Sequence, residues 1–599
     1  MDETKSSDVP MAVSSPSSSI DDIRPEAVGG DSIEDLPPHY YRKPRVIASI
    51  LSLALGYQAA WLAYPMIFNI LYTVINVDIG PDPDVIWVNL AFGLTQTIVY
   101  VILGRASDLF GRRWFAITGN ALCVIGYLIC SRAHSIKMVI GGMTIAGFGY
   151  GAQLGCLYIA VPELVPHKYR FTVVGFSMSF LSPFSSISTA IARLFSTNTE
   201  QGWRWVFYFL AIISGVACIL QVTCYFPPDF HLLHKTRTKR DALRKFDYGG
   251  LFIFIGSATS ILLGLSWGGQ KYPWASGQVI GTIVAGGVGL IGFFIWEKFW
   301  AGDEPLVPLY LFTRLNYVAL GVCATVASLT YWALSLIWPL QIQFLFGASD
   351  MQVGWKSSTL SGGASCGQVL AALLVKRIGK TKWQLVTAAV VFTSFIGGMA
   401  GVTSHTENMA IAFSILSSIC IGYTEVFTLV AAPMIADDKD IGVASGVEMF
   451  FRSGLSTFAG SLYTTIYSNK ISNNLMAYVG AAVLKSGLTS STLPTVLTAI
   501  TAGTPAALHS IPGMTPQIFQ AIMSASITAY KRSFAVIYLT SIAFGGCSII
   551  AALLTTNIDG KLTSKVSRRL KGVTRTGTIS NAKEQERGVD EESIETIEI

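Results

Sequence analysis

Apolar runs separated by short polar stretches repeat along the chain, near residues 46–70, 87–103, 114–131, 138–161, 171–194, 203–225, 248–267, 277–297, 316–340, 352–375, 382–403, 408–435, 441–467 and 532–555. Each approaches the roughly 20 residues that an α-helix, rising about 1.5 Å per residue, needs to cross the hydrocarbon core of a bilayer. No series of alternating segments of about ten residues accompanies them, so a transmembrane barrel is a poor alternative. The pattern predicts an all-α polytopic membrane protein with 14 transmembrane helices.

The charges between the runs orient them. Arg42, Lys43 and Arg45 precede the first run; HKYR, HKTRTKR with Arg244 and Lys245, and KRIGKTK follow the fourth, sixth and tenth, while the alternate loops are poor in Lys and Arg. Short basic loops stay in the cytoplasm, so an even number of crossings puts both termini there. The resulting division is a disordered cytoplasmic tail 1–43, a six-helix bundle 44–225, a polar cytoplasmic linker 226–247, two intervening helices 248–297, a second six-helix bundle 298–555 and a cytoplasmic tail 556–599. The second bundle contains a long outer loop, 468–531. Within it, Leu475–Leu484 and Pro516–Tyr530 read as short amphipathic helices able to cap the outer mouth.

Composition agrees with this class. Of 599 residues, 51% are hydrophobic and only 13% charged, with mean hydropathy +0.51, whereas soluble domains carry charge on roughly a quarter of their residues. The net charge of +6 belongs to the cytoplasmic loops and implies no nucleic-acid partner. Nine cysteines lie inside apolar segments without metal-ligand spacing and read as small buried hydrophobes. There is no phosphate-binding loop, metal cluster or nucleophile motif, so neither an enzyme nor a metal or other bound cofactor is expected.

One packet of charge stands out between the second and third runs: GRASDLFGRR, carrying Gly104, Asp108, Gly111, Arg112 and Arg113. Gly104 and Gly111 suit a tight turn between two helices. Asp108 can pair with Arg112 across it, and such a contact can break when two halves of a protein rock. Gly-x-x-x-Asp-x-x-Gly-Arg-Arg resembles the signature loop of the major facilitator superfamily, usually G-x-L-A-D-R-x-G-R-K. GWRWVFYFL, FDYGGLFIF, LGLSWGGQKYPW and GVASGVEMFFRSGLSTFAG are similar to segments of its fourteen-helix drug:proton antiporters. INVDIGPDPDVIWV, GRASDLFGRRWF, PELVPHKYR and FPPDFHLLH resemble the fungal trichothecene efflux pump family.

The resemblance covers about residues 44–570. It implies a major facilitator fold, two six-helix bundles plus two extra helices, with the GRASDLFGRR residues acting as a conformational switch. The chain departs from the antiporter pattern in three places. The first run has no acidic residue, Met143 stands where an Arg is usual, and G-P-x-x-G-G survives only as Ser182-Pro183 before Phe184-Ser185-Ser186.

Polar groups inside apolar helices are costly and mark candidate sites. Glu425 lies eleven residues from Ala436 and Arg452 eleven from Ile441. Both therefore sit roughly 16 Å into the membrane and can pair if their helices adjoin. Glu448, one turn before Arg452, offers a second carboxylate. A carboxylate that alternates between paired and unpaired states suits a proton carrier; a permanent structural ion network is the other reading. Gln58, Gln96, Gln153, Gln341, Gln343 and Gln368 are candidates to line a hydrogen-bonding cavity. Arg193 is placed to draw an anionic group or electron-rich ring toward the outer mouth, and Tyr57, Trp61, Tyr331, Trp332, Trp338 and Tyr423 supply aromatic surface for a bulky apolar ligand.

These residues, taken with the resemblance, imply a monomeric secondary transporter in the plasma membrane, or alternatively the vacuolar membrane. Its partners are a small amphipathic substrate and the lipid bilayer, and a proton gradient drives export. Two alternatives remain open: a ferric-siderophore importer, because fungal siderophore importers share much of this pattern, and a non-transporting sensor on a transporter fold.

Overall fold

The computed structural model describes residues 39–228, 238–269, 271–302, 305–437, 440–486, 488, 492–501, 508, 514–564 and 566–567. Its elements are helical; the described residues show a single isolated bridge, Gly268 with Tyr272, and no strand. The long helices in chain order are α1 (Pro44–Ile70), α2 (Ile86–Phe110), α3 (Arg113–Ser131), α4 (Ile136–Leu164), the short pieces α5 (Arg170–Ser179), α6 (Ser182–Ser186) and α7 (Ser188–Asn198), then α8 (Arg204–Cys224), α9 (Tyr248–Trp267), α10 (Gly277–Phe299), α11 (Leu315–Phe344), α12 (Asp350–Ile378), α13 (Thr381–Met399), α14 (Glu407–Ala431), α15 (Ile441–Lys485) and α16 (Pro516–Leu554). Among the described residues, eleven helices are long and apolar enough to cross a membrane. The stretch α5–α7, helix α13 and helix α15 fall outside that criterion.

Two of these exceptions have a visible cause. The run expected near 171–194 is broken into three pieces around Pro183, which lacks an N–H and crowds the preceding turn. Helix α15 carries Glu448 and Arg452 within its apolar portion, so the candidate site itself lowers its hydropathy.

α1–α4 and α8 pack on one another, with α5–α7 beside them, and α11–α16 form a second packed group. The groups meet where α2 runs along α15 and where α5–α7 run along α12; α9 and α10 pair with each other and touch α2 and α15 through α9. Alternate glycines of α4 allow two approaches at once. A Cβ at Gly147 would fall 2.8 Å from the Phe92 carbonyl of α2, and one at Gly149 2.5 Å from the Gly119 carbonyl of α3.

Four expectations are corrected. The described residues of the outer loop 468–531 are largely helical, because α15 runs on to Lys485 and α16 begins at Pro516; Leu475–Leu484 and Pro516–Tyr530 are extensions of long helices rather than separate caps. No proline or glycine interrupts 467–479, and Thr515 caps α16 with Pro516 in its first turn, where a missing N–H costs nothing. The cysteines are not uniformly buried. Cys366 and Cys547 are exposed and Cys218, Cys224 and Cys420 partly so, since an apolar helix that faces lipid leaves small apolar groups outward, as it does Phe252 and Ile219. The tail 556–599 begins with packed residues, 556–564 and 566–567, of which Ile558 and Val566 are buried. The rest of that tail, residues 1–38 of the N-terminal tail and 229–237 of the linker lie outside the described residues.

Candidate functional site

The residues of GRASDLFGRR sit where α2 ends against the first turn of α15. Asp108 carries two contacts at once: one carboxyl oxygen accepts from Arg112 at 2.6 Å and the other from the backbone N–H of Val443 at 3.1 Å. A carboxylate on the first N–H groups of a helix satisfies donors that have no intrahelical partner and lies on the positive end of the helix dipole. Asp108 thus joins the first helical group to the second. Arg112 also pairs with Glu163 of α4, and Arg105 lies 3.6 Å from Asp440, the residue before α15. The backbones are in contact here: a Cβ on Gly104 would lie 2.7 Å from the Gly442 carbonyl, one on Gly442 2.4 Å from Asp108, and one on Gly446 2.4 Å from the Tyr100 carbonyl.

Two roles expected in this loop change. Gly104 lies inside α2, where it permits close approach to α15, and the turn is made by Gly111 alone, with φ +87°. Arg113 stays within its own group, donating to the Val222 carbonyl at 2.8 Å and lying over the Phe226 ring.

About a quarter of the way along α15, Arg452 pairs with Glu425 of α14. Gln368 of α12 donates to the other Glu425 oxygen at 3.2 Å, and the guanidinium stands 5.9 Å from the Tyr158 ring of α4. Glu448 is 2% exposed, and the hydroxyl that approaches it, Thr428 of α14, is also bonded to the Thr424 and Glu425 carbonyls. Gln96 and Thr97 of α2 both meet the Ser453 hydroxyl, at 2.9 and 3.0 Å.

Between this ion pair and the end of the bundle opposite Asp108 lies a cavity of about 430 Å³. Its floor is aromatic and drawn from both groups: Trp61 stacks on Tyr331 at 5.7 Å, and Tyr64 meets Trp332 edge-on at 4.0 Å. Below that floor two smaller spaces, about 30 and 10 Å³, reach Arg452. Asn69, Asn89, Gln343 and Arg193 contribute polar groups to the main cavity. Among its described lining residues Arg193 is the charged one and none is acidic. Asn69 holds Arg193 by accepting from its Nε at 2.8 Å.

The glutamines divide. Gln96 lines the smaller space beside Trp332, Gln343 lines the main cavity and Gln368 serves Glu425. Gln58, Gln153 and Gln341 are placed elsewhere: Gln58 donates to the Met178 carbonyl, Gln153 joins a buried chain with Asn120 and Gln221, and Gln341 accepts from Tyr538. Tyr57 stacks behind Trp61 and Tyr423 donates to Gln384. Glu163 and Asp440 were missed from sequence. Glu163 in PELVP lies two residues beyond the apolar run 138–161 and so escapes the rule that selects Glu425, although α4 continues to Leu164.

A multi-pass helical protein with a cavity between two helical groups, charged contacts sealing one end and an ion pair beneath the cavity floor is a membrane transporter of the major facilitator type. The chain belongs to the fungal trichothecene efflux pump (TRI12) family, whose sequence profile matches residues 10–582. It is 29% identical over 567 residues to the trichothecene efflux pump TRI12 of Fusarium sporotrichioides, covering 92% of each chain. It is 27% identical over 563 residues to the MFS-type transporter prx5 of Penicillium rubens, covering 93% of this chain and 99% of that one. The crystal structure of the human organic anion transporter MFSD10 (TETRAN) superposes with a TM-score of 0.48 at 11% identity, over 84% of this chain and 99% of that one.

Proposed function

We propose that this protein is a monomeric plasma-membrane exporter of amphipathic small molecules, toxins or secondary metabolites, driven by proton entry through alternating access. The observation that carries the reading is the aromatic cavity closed off from the Asp108 end and resting on the Arg452–Glu425 pair. Counting the broken α5–α7 stretch, α13 and α15 as crossings beside the eleven apolar helices gives fourteen, and the basic loops then favour the cytoplasm for the Asp108 end and both termini. The cavity then faces outward, the state from which substrate leaves. Relatives named as efflux pumps favour export over uptake.

Protons enter this scheme at Glu425 and Glu448. An ionised carboxylate with few donors is costly to bury, and Glu448 faces only the Thr428 hydroxyl, which also serves the Thr424 and Glu425 carbonyls. Arg452, one turn away, can be shared between the two carboxyls as α15 moves, so that a proton taken by one is released by the other. Membrane vesicles carrying the protein should accumulate a planar polycyclic metabolite under an imposed pH gradient, and vesicles carrying Glu425→Gln should not. Equal failure of wild type and variant across a metabolite panel would remove the reading.

The lining also sets a substrate preference: fused or aromatic rings against Trp61, Tyr331 and Trp332, with a carboxylate toward Arg193. A hydrogen bond to a charged group contributes about 1.5–3 kcal/mol. Arg193→Gln is therefore expected to raise KM for a polycyclic carboxylate about tenfold or more while leaving KM for its methyl ester nearly unchanged. Equal effects on acid and ester in matched transport assays would refute that preference.

A further inference from the structure

The segment after α16 runs across the Asp108 end of the molecule and touches both helical groups. It is moored first to its own group. Asn557 accepts from the Thr381 hydroxyl at 3.1 Å and the Lys382 N–H at 3.0 Å, and Asp559 accepts from the Lys380 N–H at 2.8 Å. The Ile558 N–H donates to Thr381 at 3.0 Å, and the Lys561 ammonium donates to the Met434 carbonyl at 2.9 Å. Ile558 is buried, so this half of the segment has an apolar anchor as well.

The chain then crosses to the α4–α5 connection of the other group. The Lys168 N–H donates to the Thr563 carbonyl at 3.0 Å and its ammonium to the Ser564 hydroxyl at 3.1 Å. Arg170 donates to the Ser567 hydroxyl at 2.7 Å, and the His167 ring lies 3.3 Å from the Lys561 carbonyl. Val566, between the two serines, is buried. Four contacts in sequence order along one strip, with an apolar side chain among them, make a docked segment rather than a chance touch.

We propose that residues 557–564 and 566–567 form a strap that holds the two helical groups together at the cytoplasmic end and must let go of the α4–α5 connection for that end to open. The strap continues directly from α16, so it travels with the second group. Its contacts with Lys380–Lys382 and Met434 survive any rigid motion of that group, whereas those made by Thr563, Ser564 and Ser567 cannot survive separation of the groups. The strap thereby favours the outward-facing state and sets how often the cytoplasmic side opens, through residues that belong neither to the cavity lining nor to the Asp108 contacts. It rests on the alternating-access reading above, and the test separates the two.

The test uses the full chain with Cys366 and Cys547 replaced by Ala, carrying Lys168→Cys and Ser564→Cys. A short bifunctional methanethiosulfonate reagent should link the pair in high yield, stop transport, and restore it when a thiol reductant cuts the link; neither single variant should respond. Failure to cross-link would show that the strap does not dock, whatever the protein transports. Cross-linked protein that still transports at the unlinked rate would show that docking does not have to be released, and would overturn the proposal while leaving the export reading intact. As a second measurement, Asn557→Ala with Asp559→Ala loosens the mooring without touching the cavity. It is expected to raise cytoplasmic thiol labelling of Ser107→Cys by about three- to tenfold, as a modest population shift requires; unchanged labelling would count against the strap.

Discussion

Arg452→Ala is expected to abolish transport and to lower thermal stability steeply. Arg452 and Glu425 are paired inside the helical bundle, and Glu425 is 6% exposed. Removing one partner of a buried pair leaves an uncompensated charge and costs about 3–5 kcal/mol; the single Gln368 contact at 3.2 Å does not replace the guanidinium. The double variant Arg452→Ala/Glu425→Gln removes the stranded charge, so thermal unfolding in detergent should return most of the way toward wild type. Transport should not return, because the double variant has lost both the carboxylate and the cation that shares it. A double variant that is both stable and active would make the pair structural only, which is the plainer of the two readings the sequence allows.

The distinction matters because the same residues define the limits of hydropathy. α15 crosses the bundle, yet its charges exclude it from the apolar class to which eleven other helices belong. The apolar runs were legible because lipid imposes one requirement on every crossing, and that requirement is local in sequence. The depth match of Glu425 and Arg452 was legible for the same reason: two distances counted from helix ends, with a shared membrane surface as their origin.

Contacts between the two groups were not legible to that degree. Asp440 answers Arg105 across 335 residues, and the Val443 N–H that Asp108 accepts is equally distant. Nothing in the spacing of either segment names the other. Gly104 illustrates the gap: its presence in the motif was plain, but its use depends on Gly442 lying opposite. The glutamines failed for a different reason. A polar side chain inside an apolar helix needs a hydrogen-bond partner, but a neighbouring helix meets that need as well as a cavity does, as Gln153 finds Asn120 and Gln341 finds Tyr538. The C-terminal segment was hidden by composition: polar residues 556–567 read as tail, although Ile558 and Val566 are buried.

Asp108→Asn and Gly442→Ala should act on one contact from its two sides. The first keeps an acceptor for the Val443 N–H but loses the ion pair with Arg112 at 2.6 Å, and with it the favourable charge at the start of α15. The second puts a methyl group 2.4 Å from an Asp108 oxygen and forces the helices apart. Exchanging the charged acceptor of the Val443 N–H for a neutral one costs about 1 kcal/mol, so the balance between cytoplasm-closed and cytoplasm-open states should shift about fivefold. Cytoplasmic thiol labelling of Ser107→Cys, a residue 1% exposed with the end closed, reads that shift directly. Both variants should increase labelling and slow transport at saturating substrate, while Arg113→Gln, whose partners Val222 and Phe226 lie in its own group, should do neither. If Arg113→Gln matched Asp108→Asn in both measurements, the switch would depend on the basic charge of the loop rather than on the carboxylate that reaches across to α15.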